Sequence, residues 1–152
     1  MSHARVYLDN CCFNRPFDEQ TQDRIILETE AKIKIQTMIR AGTIDLVWSY
    51  MLDYENSANP FEMKRASIGH WKFLSSRYIE ETEEILKNAE QIEQDGLDSK
   101  DALHIACAIA GQADYFLTTD ISLIKNGMNI KEIIVCNPMQ FFLLYNPTGE
   151  SA

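Results

Sequence analysis

The sequence predicts an α/β domain built on a parallel sheet. Short apolar runs alternate with helix-like stretches along the whole chain, as expected when crossover helices join parallel strands. Several of the runs lead into a single acidic residue: Asp9 after Val6-Tyr7-Leu8, Glu55 beyond Ile44 to Trp48, and Asp120 after Tyr115-Phe116-Leu117. Size is the third observation. At 152 residues, 45% hydrophobic and 24% charged, the chain suits one globular domain with a substantial core. That domain is expected over residues 1–147, with 148–152 a short loose tail.

Val6 to Leu8 is the first strand. The next element is a helix from about Thr21 to Ala41, with Leu27, Ala31, Ile35 and Met38 as its apolar stripe. Glu28 with Lys32 and Glu30 with Lys34 make i,i+4 pairs on the expected wet face, and Gly42 suits the stop. Ile44 to Trp48 is the second strand, and Ser49 can cap the short helix carrying Glu55. Asn59-Pro60-Phe61-Glu62 reads as a helix start, with Asn59 as N-cap, Pro60 at the first position and Glu62 closing a capping box. Ile68, Trp71 and Leu74 are its buried residues. A short strand is expected near Tyr78-Ile79, then a helix through Ile85, Leu86, Ala89 and Ile92 that stops at Gly96. Asp98 or Ser99 begins an alanine-rich helix from Asp101 to Gly111. Tyr115 to Leu117 and Ile133 to Cys136 are further strands, and Pro138 starts a last helix bearing Phe141, Phe142 and Leu144. The near-contiguous aromatics and leucines to Tyr145 leave that helix apolar on more than one face, suited to the sheet or to a partner.

Composition narrows the functional classes. No apolar stretch approaches the ~20 residues of a membrane span, so no membrane association is expected. Cys11, Cys12, Cys107 and Cys136 lack zinc-site spacing and read as reduced core thiols of a cytoplasmic protein. The net charge of −9, from 14 basic and 23 acidic residues, is opposite to the basic footprint of a nucleic-acid binder. Two features soften that objection. Divalent ions would neutralise an acidic site locally, and Glu80, Glu81, Glu83 and Glu84 form a solvated run favoured by a helix start.

The acids carry the chemical reading. Carboxylates at the carboxyl ends of separate parallel strands meet on one edge of the sheet, where such folds bind ligands. Held together they repel, unless an oxygen-seeking cation such as Mg²⁺ or Mn²⁺ sits among them. Asp9 follows its strand directly, and Asp120 stands just past the end of its own. Asp101 opens the alanine-rich helix, with Asp98 as its rival, and Asp53 and Glu28 compete with Glu55.

Four segments in order, Val6-Tyr7-Leu8-Asp9-Asn10, Trp48-Ser49 through Glu55, Asp101-Ala102-Leu103-His104-Ile105-Ala106 and Leu117-Thr118-Thr119-Asp120, resemble the PIN-domain nucleases from about Arg5 to Leu144. The resemblance implies a PIN-like three-layer α/β/α sandwich with a central parallel sheet. It implies a Mg²⁺- or Mn²⁺-dependent site of Asp9, Glu55, Asp101 and Asp120, both catalytic and metal-binding, hydrolysing RNA or single-stranded nucleic acid. Glu55 is preferred because the family's second acid falls six residues after the position of Ser49. Many members pair with a small antitoxin protein and others dimerise, so an antitoxin or a second copy is an implied partner. Thr118 and Thr119 are candidates to orient Asp120 by hydrogen bonding. Arg15 and Arg24 are candidate phosphate contacts, with Lys64, Arg65 and Lys72 as further basic groups near the mouth. His104, one turn beyond Asp101, reads as a histidine capping the core rather than a phosphate donor.

Two departures from the family pattern stand out. Cys11 occupies a position usually held by serine, threonine or asparagine, and no further acid follows Asp120, where Ser122 is the nearest substitute. Other acid-pocket folds fit less well. A haloacid-dehalogenase-type phosphatase needs a second aspartate where Cys11 stands, and a receiver domain needs a lysine before Pro138. Asp9 to Pro16 contains no glycine, which argues against a dinucleotide-binding turn, and there is no phosphate-binding loop. The alternative within the resemblance is a catalytically weak nucleic-acid-binding or regulatory module that keeps the acid pocket.

Overall fold

The chain lays its first strand in the middle of the sheet and builds outward in two directions. The computed structural model describes residues 3–14 and 23–145. β1 (Arg5–Leu8) pairs in parallel with β2 (Asp45–Ser49) on one side and β4 (Tyr115–Leu117) on the other. β3 (Arg77–Ile79) and β5 (Ile134–Cys136) form the edges, giving the order β3-β2-β1-β4-β5 with every pairing parallel. The chain adds β2 and β3 to one side of β1, then returns to add β4 and β5 to the other, so the strand order reverses beside β1. Such a switch opens a crevice at the carboxyl ends of the strands. The strands are buried on both faces: Val6, Tyr7, Leu46, Val47, Trp48, Phe116 and Leu117 are all inaccessible. That burial explains why their sequences are continuously apolar rather than alternating.

Helices cover both faces of the sheet, because right-handed crossovers taken in opposite directions fall on opposite sides. α2 (Asp23–Arg40) and α4 (Glu62–Leu74) share one face, where the Arg40 guanidinium lies over the Trp71 ring at 4.6 Å. α5 (Glu83–Glu93) and α6 (Ser99–Ala110) pack on each other over the opposite face. Ala102, Ala106 and Ala108 let α6 approach closely. At its end, a Cβ on Gly111 would come within 2.7 Å of Val47 Cγ1, so glycine is needed there for space. Gly42 and Gly96 take positive φ after α2 and α5, where a side chain would be strained. Thr82 caps α5, with Glu83 and Glu84 in its first turn, as expected from dipole electrostatics. α8 (Pro138–Leu144) starts with a complete Asn137/Gln140 capping box and buries Phe141, leaving Leu143 and Leu144 exposed.

Some local expectations require correction. The buried stripe of α2 is not the one that begins at Leu27, which is exposed. Glu28, Thr29, Lys32 and Gln36 are buried beside Ala31 and Ile35. The reason lies in α1 (Cys11–Asn14), a short helix the sequence did not announce. Lys32 Nζ donates to the Cys11 carbonyl at 3.2 Å and Gln36 Nε2 to the Cys12 carbonyl at 3.2 Å, satisfying acceptors that so short a helix leaves open. Lys34 lies over the Phe142 ring at 4.6 Å. α4 begins at Glu62, and its N-cap Phe61 makes no side-chain cap bond. Asn59 accepts instead from Phe61 N at 3.0 Å, a local turn that precedes the helix. The tail 148–152 lies outside the described residues, and among those residues no helix is long and apolar enough to cross a membrane.

Candidate functional site

The crevice beside β1 is an open notch of ≈ 370 Å³ lined by Asp9, Asn10, Cys11, Glu55, Lys100, Asp101, Thr119 and Asp120. The four acids singled out in the sequence therefore face one cavity, each delivered by a different element. Asp9 follows β1, and its backbone N–H donates to the Leu117 carbonyl at 2.9 Å, tying the β1 and β4 ends together. Glu55 projects from α3 (Tyr50–Ser57), a helix started by Ser49, whose Oγ accepts from Leu52 N as expected. Asp101 lies in the first turn of α6. Asp120 is the N-cap of α7 (Ile121–Gly127), a second helix the sequence reading missed, and its Oδ1 accepts from Leu123 N at 3.2 Å.

The acids are held differently. Asp9 accepts Thr118 Oγ1–H at 2.7 Å on Oδ2 and Asn10 N–H at 2.8 Å on Oδ1, with the Cys11 thiol at 3.6 Å from Oδ2. Thr118 is fully buried, and its hydroxyl also accepts from Asp120 N at 3.1 Å. It thus holds the Asp9 carboxylate and the Asp120 backbone, not the Asp120 side chain. Thr119 donates to Cys11 Sγ at 3.2 Å, so neither threonine bonds the Asp120 carboxylate. Cys11 is a partner within this network: the hydrogen bond from Cys12 lowers its thiol pKa, against burial and Asp9, which raise it. Ser122 is exposed in the first turn of α7.

Glu55 is the acid with basic company. Lys100 Nζ stands 3.2 Å from its Oε2, and His104 Nε2 meets its Oε1. Burial works to raise this carboxyl, but the hydrogen bond from His104, with the hydrogen bond and charge of Lys100, outweighs it and holds Glu55 below the usual carboxylate range. The opposite holds at Asp101, which is pushed up to about 6, first by desolvation and then by the charges of Asp98, Asp9 and Asp120. Asp98 itself caps α6, accepting Asp101 N at 2.8 Å, and does not line the notch.

The rivals of Glu55 point elsewhere. Asp53 is occupied by Trp48 Nε1 at 2.9 Å, Tyr78 Oη at 2.6 Å and Lys72 Nζ at 3.1 Å. Glu28 is buried on α2 and does not line the notch. Arg15 and the Arg24 side chain lie outside the described residues. Local sequence gave no sign that Lys100 and His104 contact Glu55, because 45 or more positions separate them along the chain.

The chemistry of the donor set suits a hard divalent cation: the notch offers the carboxylate oxygens of Asp9, Glu55, Asp101 and Asp120. Among the described residues, however, no group of three or more His, Cys, Asp or Glu side chains is gathered tightly enough to hold a metal ion as it stands.

No protein-family model matches the chain, and no curated protein does. Among solved structures, it is similar to VapBC2 from Rickettsia felis, determined bound to a DNA fragment from their promoter. The TM-score is 0.55, and the match covers 88% of this chain and 98% of that one at 16% identity. Identity at that level speaks to fold alone. With its five parallel strands, helices on both faces and this structural likeness, the chain has the PIN-domain fold that its sequence resembles.

Proposed function

We propose that the chain is a divalent-metal-dependent ribonuclease that hydrolyses phosphodiester bonds of single-stranded RNA, acting in the cytoplasm as the toxin half of a toxin–antitoxin pair. One observation carries the reading: Asp9, Glu55, Asp101 and Asp120 line a single notch at the switch point of the sheet, and Asp101 is pushed up to about 6. In this reading the four carboxylates hold Mg²⁺ or Mn²⁺. The bound ion supplies Lewis acidity and a water of lowered pKa. Asp9, fixed by Thr118 and the Asn10 N–H, sets the position of the site. Asp101, desolvated and flanked by the charges of Asp98, Asp9 and Asp120, is the acid whose ionised form a bound cation would favour most. Lys100 gives the notch a positive group to face a phosphate. The antitoxin reading draws on the likeness to VapBC2 and on Leu143, which is 86% exposed on α8.

The second reading, a binding or regulatory module that does not cut, is favoured by two observations. Glu55 is already engaged by Lys100 and His104, and no metal cluster is preassembled among the described residues. A cleavage assay on single-stranded RNA separates the two. With Mn²⁺ the ribonuclease reading expects cuts that EDTA abolishes and added Mn²⁺ restores. Mn²⁺ binding without cleavage of any RNA or DNA substrate would support the module instead.

A further inference from the structure

Behind Glu55 lies a buried polar chain that runs from the notch into the core. His104 is 1% exposed, and Tyr7 and Ser49 are completely inaccessible. The Tyr7 hydroxyl stands 2.6 Å from His104 Nδ1 and 2.6 Å from Ser49 Oγ, and Ser49 Oγ accepts Leu52 N–H at 3.3 Å. His104 Nε2 reaches Glu55 Oε1. Every polar group in this chain has a partner when the hydroxyls donate toward the notch. Ser49 O–H then donates to Tyr7, Tyr7 O–H to Nδ1, and Nε2–H to the carboxylate. Packing fixes the imbedded members: the Tyr7 ring stacks on Phe116 with centroids 5.2 Å apart and meets the His104 ring edge-on at 5.8 Å.

The members come from three elements that the sequence separates widely: Tyr7 from β1, Ser49 from the end of β2 and His104 from α6. A histidine buried only to fill the core would need no such alignment. Buried polar groups are costly unless satisfied, and here their satisfaction ends on an acid of the notch. We propose that His104 is a positioning residue: anchored by Tyr7 and Ser49, it fixes one oxygen of Glu55 and turns the other toward the notch. Lys100, at the exposed side of Oε2, is the group a cation would displace. The inference rests on the ribonuclease reading for its functional meaning, while the contact between His104 and Glu55 can be tested without it.

The test uses the full chain and three variants, His104→Leu, His104→Gln and Tyr7→Phe. The first readout is proton NMR of the imidazole N–H. The parent is expected to show a downfield Nε2–H resonance protected from solvent exchange, lost in His104→Leu and weakened in Tyr7→Phe. The second is Mn²⁺ affinity by calorimetry. His104→Leu is expected to lose about 10–100-fold, as removal of an outer hydrogen-bond partner of a metal ligand does, and His104→Gln to regain most of it by offering an N–H from a similar position. Thermal melting confirms that each variant is folded at the temperature used. If no protected N–H exists in the parent, or if a folded His104→Leu binds Mn²⁺ as the parent does, the positioning role is overturned. A parent that shows the N–H but neither binds Mn²⁺ nor cuts RNA would overturn the ribonuclease reading while leaving the contact in place.

Discussion

Replacing Asp101 by Asn is expected to make the protein more stable in EDTA while abolishing metal-dependent cleavage. Desolvation and the charges of Asp98, Asp9 and Asp120 lift the Asp101 pKa to about 6 from the ordinary 3.8. Between those values the folded protein holds a proton that the unfolded chain has released. The contribution of Asp101 to stability therefore falls as pH rises from about 4 to about 6, and remains lowered at neutral pH. The full shift would correspond to about 3 kcal/mol at 1.36 kcal/mol per unit, which partial solvent screening reduces to about 1–2 kcal/mol. Asn removes this charge at nearly constant shape. Chemical denaturation at pH 7.5 in EDTA should show the gain, and it should shrink toward pH 4.

The sign of that change is informative. If Asp101 served only as an acid favoured by the start of α6, its replacement would cost about 0.3–1 kcal/mol through the lost dipole interaction. A stabilised variant that no longer cuts is the pattern of a site whose charges are assembled for function at the expense of the fold. Adding Mn²⁺ should raise the stability of the parent by mass action and do much less for the variant.

Asp9→Asn is expected to lower the cleavage rate by at least about a thousandfold, equivalent to roughly 4 kcal/mol of transition-state stabilisation. The side chain is nearly isosteric, and Asp9 sits among donors: Thr118 Oγ1 at 2.7 Å, Asn10 N at 2.8 Å and the Cys11 thiol at 3.6 Å. Asn retains one acceptor oxygen and loses the charge, so the fold should survive while the pull on a divalent cation falls. Single-turnover cleavage of single-stranded RNA with Mn²⁺, beside a melting curve, separates the two effects. A folded variant cutting within tenfold of the parent would remove Asp9 from the mechanism.

The parts of this architecture written most openly in the sequence are those that local rules govern. Val6-Tyr7-Leu8 and Tyr115-Phe116-Leu117 are buried on both faces, so an unbroken apolar run suffices to mark them, and Asp9 and Asp120 follow at their ends. Ser49 and Gly42 announced their caps, and Pro138 its helix start, for similar reasons. Tertiary contacts hid the rest. Glu28 and Lys32 looked like a solvated pair because their spacing says nothing of α1, whose carbonyl Lys32 meets. α1 and α7 are too short to show helical periodicity. Thr118 and Thr119 were indistinguishable as neighbours, yet only Thr118 points inward to Asp9. The engagement of Glu55 by Lys100 and His104 spans three-dimensional neighbours with no sequence signature at all.

The most direct test is an anomalous difference map from crystals of the protein grown with Mn²⁺. A peak coordinated by oxygens of Asp9, Asp101 and Asp120, with Glu55 in direct or water-mediated contact, is expected. Manganese bound on another face, or an acid notch that stays free of it at millimolar Mn²⁺, would contradict this expectation.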